Sequence, residues 1–231
     1  MGARMSRQTI VIPAGFRVLT VPGLYGSGPG HWQSRWEALH PDWQRVGQKD
    51  WSRPSLYLWA ERVGEAIALA TAETGRVSPG GASGILLLAH SFGCLASLRY
   101  VLDASLGATD YHAHIAGMLL VAPADPDKFG VGPLLPQGPL PFPTIVAASR
   151  NDPWVPQPVA FGWATLWGSE KIDLGLAGHV NADSGLGDWP LGLSLVERLV
   201  QRIVTSGRPS EPEGRSSWQR DVDLIGPIPY M

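Results

Sequence analysis

The sequence predicts an α/β fold in which a mainly parallel, six-stranded sheet carries helices on both faces. Short apolar runs bounded by glycine and proline alternate with longer stretches of helical spacing, as in a parallel sheet covered by helices. The chain has 231 residues, 44% of them hydrophobic and 16% charged, which is enough apolar material for one sizeable core. We therefore expect a single α/β domain over residues 1–205.

Strands and helices are predicted to alternate along the chain. The expected strands are 17–21, 45–48, 85–89, 117–121, 144–148 and 171–174, and the expected helices are 33–39, 56–74, 93–105, 158–167 and 191–205. The second helix follows Pro54 and is rich in alanine, which favours a helix over a strand. From 206 to 231 the composition shifts to proline, glycine, serine and charged residues, so we expect a flexible or extended tail there.

Charge and cysteine content narrow the classes of partner and compartment. A net charge of -2 gives no broad attraction to nucleic acid or to anionic membranes. The single cysteine, Cys94, excludes an intrachain disulfide. Pro13 interrupts the first apolar stretch before a signal-peptide core could form, and no apolar run approaches the roughly 20 residues that cross a bilayer. The expectation is a cytoplasmic protein with no nucleic-acid or membrane partner.

A candidate nucleophile lies at Ser91. The strand 85–89 runs directly into His90-Ser91-Phe92-Gly93 and then into a helix, the strand–turn–helix arrangement of a nucleophile elbow. Such a turn is strained and needs small residues two positions before and after the serine, here Ala89 and Gly93. Ala89 differs by one methyl group from the usual glycine. A capping serine in an ordinary strand-to-helix connection is the alternative.

Candidates for an acid and a base follow in the chain order serine, acid, histidine. Asp152 comes directly after the strand 144–148, and His179 comes in a glycine-containing loop after the strand 171–174. The carboxyl ends of strands are where α/β folds build their sites. Taken singly, Asp152 fits an Asp-Pro turn and His179 fits an ordinary loop; the three motifs together predict a triad of Ser91, Asp152 and His179.

Other acids and histidines are weaker candidates. Asp125 follows the strand 117–121 and is the second choice for the acid, since Asp152 comes one strand later. The remaining histidines considered for the base are His40, in a His-Pro-Asp turn; His90, expected to pack or bond beneath the elbow; and His112 and His114, at the amino end of a strand.

The glycine-rich segment after the first strand is predicted to complete an oxyanion hole. Its glycine spacing does not fit a dinucleotide fingerprint, and no Gly-Lys-Ser/Thr follows for a phosphate loop. We expect the backbone amide of Leu24 to face that of Phe92, the first residue after the nucleophile. The alternative is a glycine turn without a catalytic part.

These motifs together resemble a known family. Pro22-Gly23-Leu24 through His31-Trp32, the elbow, 121–125, 149–153 and 178–181 resemble the YdeN-like small serine hydrolases, which include the retinoblastoma-binding protein nine group. The resemblance spans about residues 18–204. It implies a compact α/β-hydrolase fold with little or no lid and a Ser-Asp-His triad carried onto Ser91, Asp152 and His179. It does not fix the substrate, since esterase or peptidase activity is proposed for members.

The expected chemistry is hydrolysis of an ester or amide bond of a small-molecule substrate through an acyl-enzyme on Ser91. No cofactor is expected, and no Cys/His cluster has metal-ligand spacing. Three of the ten tryptophans, Trp32, Trp36 and Trp154, come near strand ends, and we expect Trp32 and Trp154 to line an apolar substrate pocket. An acyltransferase, or a non-catalytic binding module on the same fold, are the alternatives.

Overall fold

A computed structural model describes residues 9–74, 83–106 and 114–206. Apart from Ser206, the expected tail lies outside these residues, as does His112. The strands are β1 (Phe16–Val21), β2 (Gln44–Arg45), β3 (Gly84–His90), β4 (Ile115–Val121), β5 (Thr144–Ala148) and β6 (Glu170–Asp173). The helices are α1 (Trp32–Leu39), α2 (Leu56–Thr74), α3 (Phe92–Leu106), α4 (Gln157–Leu166) and α5 (Pro190–Ser206). The predicted α/β fold class is confirmed.

The six strands form one parallel sheet in the order β2-β1-β3-β4-β5-β6. Strand β3 lies between β1 and β4, and its residues alternate between two cores. Ile85, Leu87 and Ala89 face the side covered by α2, α3 and α4. Leu86 and Leu88 face the side covered by α1 and α5. The continuous apolar sequence of β3 therefore reflects burial on both faces.

Strand β2 is shorter than the sequence predicts. Only Gln44 and Arg45 pair with β1, opposite Leu19 and Thr20. Val46 makes one further backbone hydrogen bond to the Thr20 carbonyl and buries its side chain, after which Gly47 leaves the sheet. A two-residue edge strand offers few unpaired backbone groups to another chain.

The connection from β4 to β5 contains no long helix. Its regular structure in the described residues is a single 3-10 turn at Gly132–Leu134. None of the helices in the described ranges has the length and apolarity to cross a membrane.

Candidate active site

The candidate residues meet at one edge of the sheet because all six strands are parallel. The chain passes from β1 to β2 on one side and later places β3 on the other side of β1. Strand β1 is therefore the point where the strand order reverses, and open α/β sheets bind ligands at the carboxyl end of such a switch point. The loop after β1 contains Leu24, and β3 ends at the candidate nucleophile.

Ser91 is the single residue between β3 and α3, and it has a φ of 52°. This left-handed backbone is costly for any residue with a side chain and persists only where its surroundings hold it. The Ser91 amide donates to the Val121 carbonyl at 3.1 Å. A Cβ on Gly93 would lie 2.4 Å from the Val21 carbonyl oxygen, so only glycine lets α3 approach β1 this closely. The elbow forms with Ala89 in place of the usual glycine.

A chain of hydrogen bonds joins the three predicted triad residues. The distance from Ser91 Oγ to His179 Nε2 is 3.0 Å, and from His179 Nδ1 to Asp152 Oδ2 it is 2.8 Å. Since a carboxylate only accepts, the Nδ1–H of His179 donates to Asp152, which leaves Nε2 as the acceptor for the serine hydroxyl. The side chain of Asp152 is fully buried, and that of His179 is 10% exposed.

Asp152 has both carboxylate oxygens occupied. Oδ1 accepts from the backbone amides of Trp154 at 2.9 Å and Val155 at 3.3 Å, while Oδ2 accepts from His179. The Asp-Pro turn and the bond to the histidine are thus made by the same side chain, so both interpretations of Asp152 hold together. Asp125, the second choice, accepts from the Asp127 amide at 3.0 Å in its own turn.

The loop that presents His179 is held by side chains from the loop that presents Asp152. Asn151 Oδ1 accepts from the Gly178 amide at 2.8 Å, and Ser149 Oγ accepts from the Ala177 amide at 2.9 Å. On either side of His179, Gly178 has a φ of 60° and Val180 a φ of 53°. Two consecutive polar anchors beside a strained turn fix the direction of the imidazole. Neither anchor was predicted from the sequence, although both residues lie within three positions before Asp152.

Two buried side chains hold the His179 loop from below. His90 Nε2 donates to the His179 carbonyl at 2.9 Å, which confirms that the residue before the nucleophile bonds beneath the elbow. The indole of Trp32 donates to the Val180 carbonyl at 2.9 Å. Trp32 is 1% exposed and packs against Trp36 and Trp189, so the structure places it in the core rather than on a pocket wall. Its predicted place near the site is correct, but its side chain has no surface for a substrate.

Three imidazole rings lie in a row behind the nucleophile. The ring centroids of His31 and His90 are 4.7 Å apart, and those of His90 and His179 are 5.0 Å apart. Burial, with smaller contributions from Arg45 and His179, lowers the pKa of His31 from 6.5 to about 3. Burial, and then the neighbouring His31 and His179, hold the pKa of His90 well below its usual range. His31 and His90 are therefore neutral at physiological pH and add no positive charge beside the base.

The backbone amides of Leu24 and Phe92 are the predicted oxyanion donors. Neither donates to a backbone carbonyl in the described part of the chain. Gly23, just before Leu24, comes so close to the nucleophile that a Cβ would lie 2.7 Å from Ser91 Cβ. The next residues turn sharply, since Tyr25 has a φ of 63° and the Gly26 amide donates to the Gly23 carbonyl at 3.0 Å. We call residues 22–27 the oxyanion loop, after the role predicted for the Leu24 amide.

Exposed apolar side chains follow the strands at this edge. Trp154 is 63% exposed and comes two residues after Asp152, so its ring is open to solvent, and its place on a pocket wall stays a prediction. Tyr25, Phe129 and Leu176 are also exposed and follow β1, β4 and β6. Phe129 packs edge-on against Phe92, with ring centroids 4.9 Å apart. Of these four exposed apolar side chains, only Trp154 was predicted from the sequence to line a substrate pocket.

The remaining candidates lie elsewhere or have no ligand-holding arrangement. His40 stacks on Trp43, with ring centroids 4.3 Å apart, and Trp36 is fully buried. In the described ranges, no group of three or more His, Cys, Asp or Glu is placed to hold a metal ion. Among the candidates, the structure brings Ser91, His179 and Asp152 together in one hydrogen-bonded chain.

Comparisons with known proteins identify the family and the fold. The model of the serine hydrolase family matches residues 18–198. A YdeN-like hydrolase from Pectobacterium atrosepticum is 34% identical, with a TM-score of 0.71 over 82% of this chain and 92% of that one. The ydeN gene product of B. subtilis is 19% identical, with a TM-score of 0.59 over 80% and 98%. Esterase 2 of Thermogutta terrifontis is 16% identical, with a TM-score of 0.60 over 84% and 83%.

No curated protein matches the chain significantly. The family model covers most of the chain. The P. atrosepticum hydrolase, at 34% identity, is similar enough in sequence to show the family as well as the fold. The chain belongs to the serine hydrolase family, in its YdeN-like branch, and has an α/β-hydrolase fold.

Proposed function

We propose that this hydrolase cleaves an ester or amide bond of a small substrate through an acyl-enzyme on Ser91. The observation that carries the proposal is the hydrogen-bonded chain Ser91–His179–Asp152 at the carboxyl edge of the sheet. Such a chain activates a hydroxyl that would otherwise be a weak nucleophile. Family membership supports hydrolysis as the class of reaction, while the covalent intermediate and the roles of these residues are the proposal.

In the first half of the proposed reaction, Ser91 Oγ bonds to the substrate carbonyl carbon as its proton moves to His179 Nε2. The carbonyl electron pair shifts onto oxygen, where the amides of Leu24 and Phe92 donate to it. The imidazolium then gives its proton to the leaving alcohol or amine as the bond to the carbonyl carbon breaks. Asp152 holds the imidazole in the required tautomer and stabilises its positive charge.

In the second half, water repeats the sequence. His179 accepts a proton from the water, the water oxygen bonds to the acyl carbon, and Ser91 leaves with the proton from His179. Membership of the serine hydrolase family favours water over another acyl acceptor in this step. We propose Trp154 as a wall of the substrate site because its ring is largely exposed beside the acid loop.

An active-site probe tests the proposal without knowledge of the substrate. The purified protein is treated with a fluorophosphonate, and the adduct is located by mass spectrometry. The esterase 2 of T. terrifontis, of the same fold, is phosphorylated by paraoxon, which makes organophosphorus reagents a suitable choice. We expect labelling at Ser91, lost in Ser91→Ala and His179→Ala. Ser194→Ala is the matched control, because the hydroxyl of Ser194 is exposed and bonds only within α5.

The outcomes separate the alternatives. Labelling at Ser91 together with release of acid from short-chain p-nitrophenyl esters or aminoacyl amides supports the hydrolase, and the faster of the two series identifies the bond. Labelling with acyl product formed only when an alcohol or amine acceptor is added favours the acyltransferase. A folded protein that is not labelled contradicts the proposal and favours the non-catalytic binding module.

A further inference from the structure

We propose that Gln33 is a positioning residue that holds the oxyanion loop in register with the strand that carries the nucleophile. The side chain of Gln33 is fully buried at the start of α1. Its Nε2 donates to the Leu88 carbonyl of β3 at 2.9 Å, and its Oε1 accepts from the Ser27 hydroxyl at 2.5 Å. The inference rests on the proposed acyl-transfer chemistry, since it concerns the oxyanion donor of that reaction.

The position of Gln33 connects the two halves of the proposed oxyanion hole. Leu88 comes three residues before Ser91 on β3, and Ser27 comes three residues after Leu24 at the end of the oxyanion loop. One amide group therefore links the strand beneath Phe92 to the loop that presents the Leu24 amide. A hydrogen-bond donor for an oxyanion contributes only where its distance is right, so a rigid link between the two donors has catalytic value.

Ser27 is held from a second direction by the edge of the sheet. Its carbonyl accepts from Arg45 at 2.9 Å and from the Ser34 hydroxyl at 2.6 Å. Arg45 is itself oriented by Glu37 at 2.7 Å, and Glu37 accepts from Thr20 of β1. The end of the oxyanion loop is thus fixed to β1, β2 and β3 together, with Ser27 only 4% exposed.

The Ser27 anchor stabilises a strained turn within the oxyanion loop. Tyr25 is strained, with a φ of 63°, and its side chain is 76% exposed, so packing of that side chain does little to hold the turn. Within the described residues, the turn makes two backbone hydrogen bonds of its own, from Tyr25 to Trp51 and from Gly26 to Gly23. Strained backbone persists where its surroundings over-determine it, and the Ser27 anchor supplies that constraint from the C-terminal side.

A buried glutamine without specific hydrogen bonds would destabilise the fold at this position. The neighbouring inward residues of α1, Trp32 and Trp36, are apolar, and a buried amide is tolerated only when its hydrogen bonds are made. Gln33 makes them to one carbonyl of β3 and one hydroxyl of the oxyanion loop. The polar residue is explained by what it connects.

The test compares Gln33→Met and Ser27→Ala with the wild type and with Gln137→Met. Methionine keeps the length and apolar stem of glutamine but removes both hydrogen bonds. Gln137 is the matched control, because its amide also donates to two loop carbonyls, those of Gly132 and Leu135, in a loop outside the proposed oxyanion hole. Each variant is assayed for kcat and KM on a p-nitrophenyl ester and for inhibition by an alkyl trifluoromethyl ketone.

The ketone reports the oxyanion hole directly. Ser91 Oγ bonds to its carbonyl carbon, the serine proton passes to His179, and the carbonyl electron pair becomes an oxyanion that the Leu24 and Phe92 amides bind. For Gln33→Met we expect kcat/KM and affinity for the ketone to fall together by about 10- to 100-fold, with KM changed by less than about threefold. The pH profile should keep its midpoint, because the contacts of His179 are untouched.

The control separates positioning from stability. Gln137→Met should lower the thermal unfolding temperature and leave kcat/KM and ketone affinity within about twofold of the wild type. A folded Gln33→Met variant with wild-type ketone affinity would overturn the inference. If that variant does not fold, Ser27→Ala decides, because it removes one hydroxyl: a parallel loss of about 3- to 10-fold supports the inference, and no loss overturns it. A wild type that neither turns over ester nor binds the ketone refutes the proposed function itself.

Discussion

Replacement of Gly23 by alanine should disable the site while leaving the fold intact. A Cβ at this position would lie 2.7 Å from Ser91 Cβ, 3.0 Å from the His90 carbonyl oxygen and 3.3 Å from Ser91 Oγ. Ordinary van der Waals contact begins at 3.4 Å, so the oxyanion loop or the nucleophile must move by about 0.7 Å. The space is closed on the backbone side, because the His90 carbonyl cannot rotate away as a flexible side chain would.

A shift of that size is enough to remove one oxyanion donor. A hydrogen bond of about 2.9 Å lengthened by about 0.7 Å reaches 3.6 Å, beyond the range in which it counts as one. Loss of one such donor lowers kcat by about 10²- to 10³-fold, equivalent to about 2.7–4 kcal/mol of transition-state stabilisation. We therefore expect kcat/KM for a p-nitrophenyl ester to fall by that factor in Gly23→Ala, with the fluorophosphonate labelling rate of Ser91 falling in parallel.

Gly28→Ala provides the matched control. It lies just after the oxyanion loop, its φ is not in the left-handed region, and a Cβ there would meet no atom within 4 Å. Its activity should stay within about twofold of the wild type. If Gly23→Ala retained kcat/KM within about threefold while circular dichroism showed a native fold, the close approach of the two loops would not support the oxyanion role of Leu24.

Three further outcomes are expected. Asp152→Asn should lower kcat by about 10³- to 10⁴-fold with little change in KM, because the amide no longer selects the tautomer of His179; a loss below about tenfold in steady-state kinetics would contradict that role. The pKa of His31 is about 3 in the folded state and 6.5 in the unfolded state, so the unfolded state binds more protons between these pH values. The stability that neutral His31 contributes is therefore complete above pH 6.5 and is lost as the pH falls towards 3. In urea unfolding between pH 7 and pH 4.5, the free energy of unfolding of the wild type should therefore fall by about 2–3 kcal/mol more than that of His31→Asn. Asparagine does not titrate and can still cap α1. Equal losses in the two proteins would show that His31 is not buried in its neutral form. Cys94 is fully buried and burial raises the pKa of its thiol, so iodoacetamide should modify it in urea but not in the native protein, as intact-mass measurement would show; stoichiometric alkylation of native protein would contradict its burial.

The fold and the positions of the site loops were predictable because they depend on local patterns. The apolar run of β3 and the small residues around Ser91 specify a strand, a tight turn and a helix, and the structure has all three. Asp152 and His179 were predictable because parallel strands bring their carboxyl ends to one edge. The chain order of the three residues then left few alternatives.

Long-range polar contacts could not be predicted in the same way. Gln33 and Leu88 are 55 residues apart, and nothing in the sequence around either residue points to the other. Trp32 illustrates the opposite error, since its position near a strand end was correct but the direction of its side chain was not. A period of 3.6 residues predicts the buried face of a helix only when the polar residues lie on the opposite face. In α1 the polar Gln33 is itself buried, so the pattern could not reveal its role.

The parallel order of the strands also has a consequence for how the protein acquires activity as it folds. Ser91 and His179 are 88 residues apart, and β3 needs both β1 and β4 as neighbours before its end is fixed. Such non-local pairing is slow compared with helix formation, because the chain loses the entropy of loop closure before the stabilising contacts between strands form. During refolding, helical signal should therefore return before turnover of the hydrolase's substrate. The time course of recovered turnover then reports the rate of the last stage of sheet assembly.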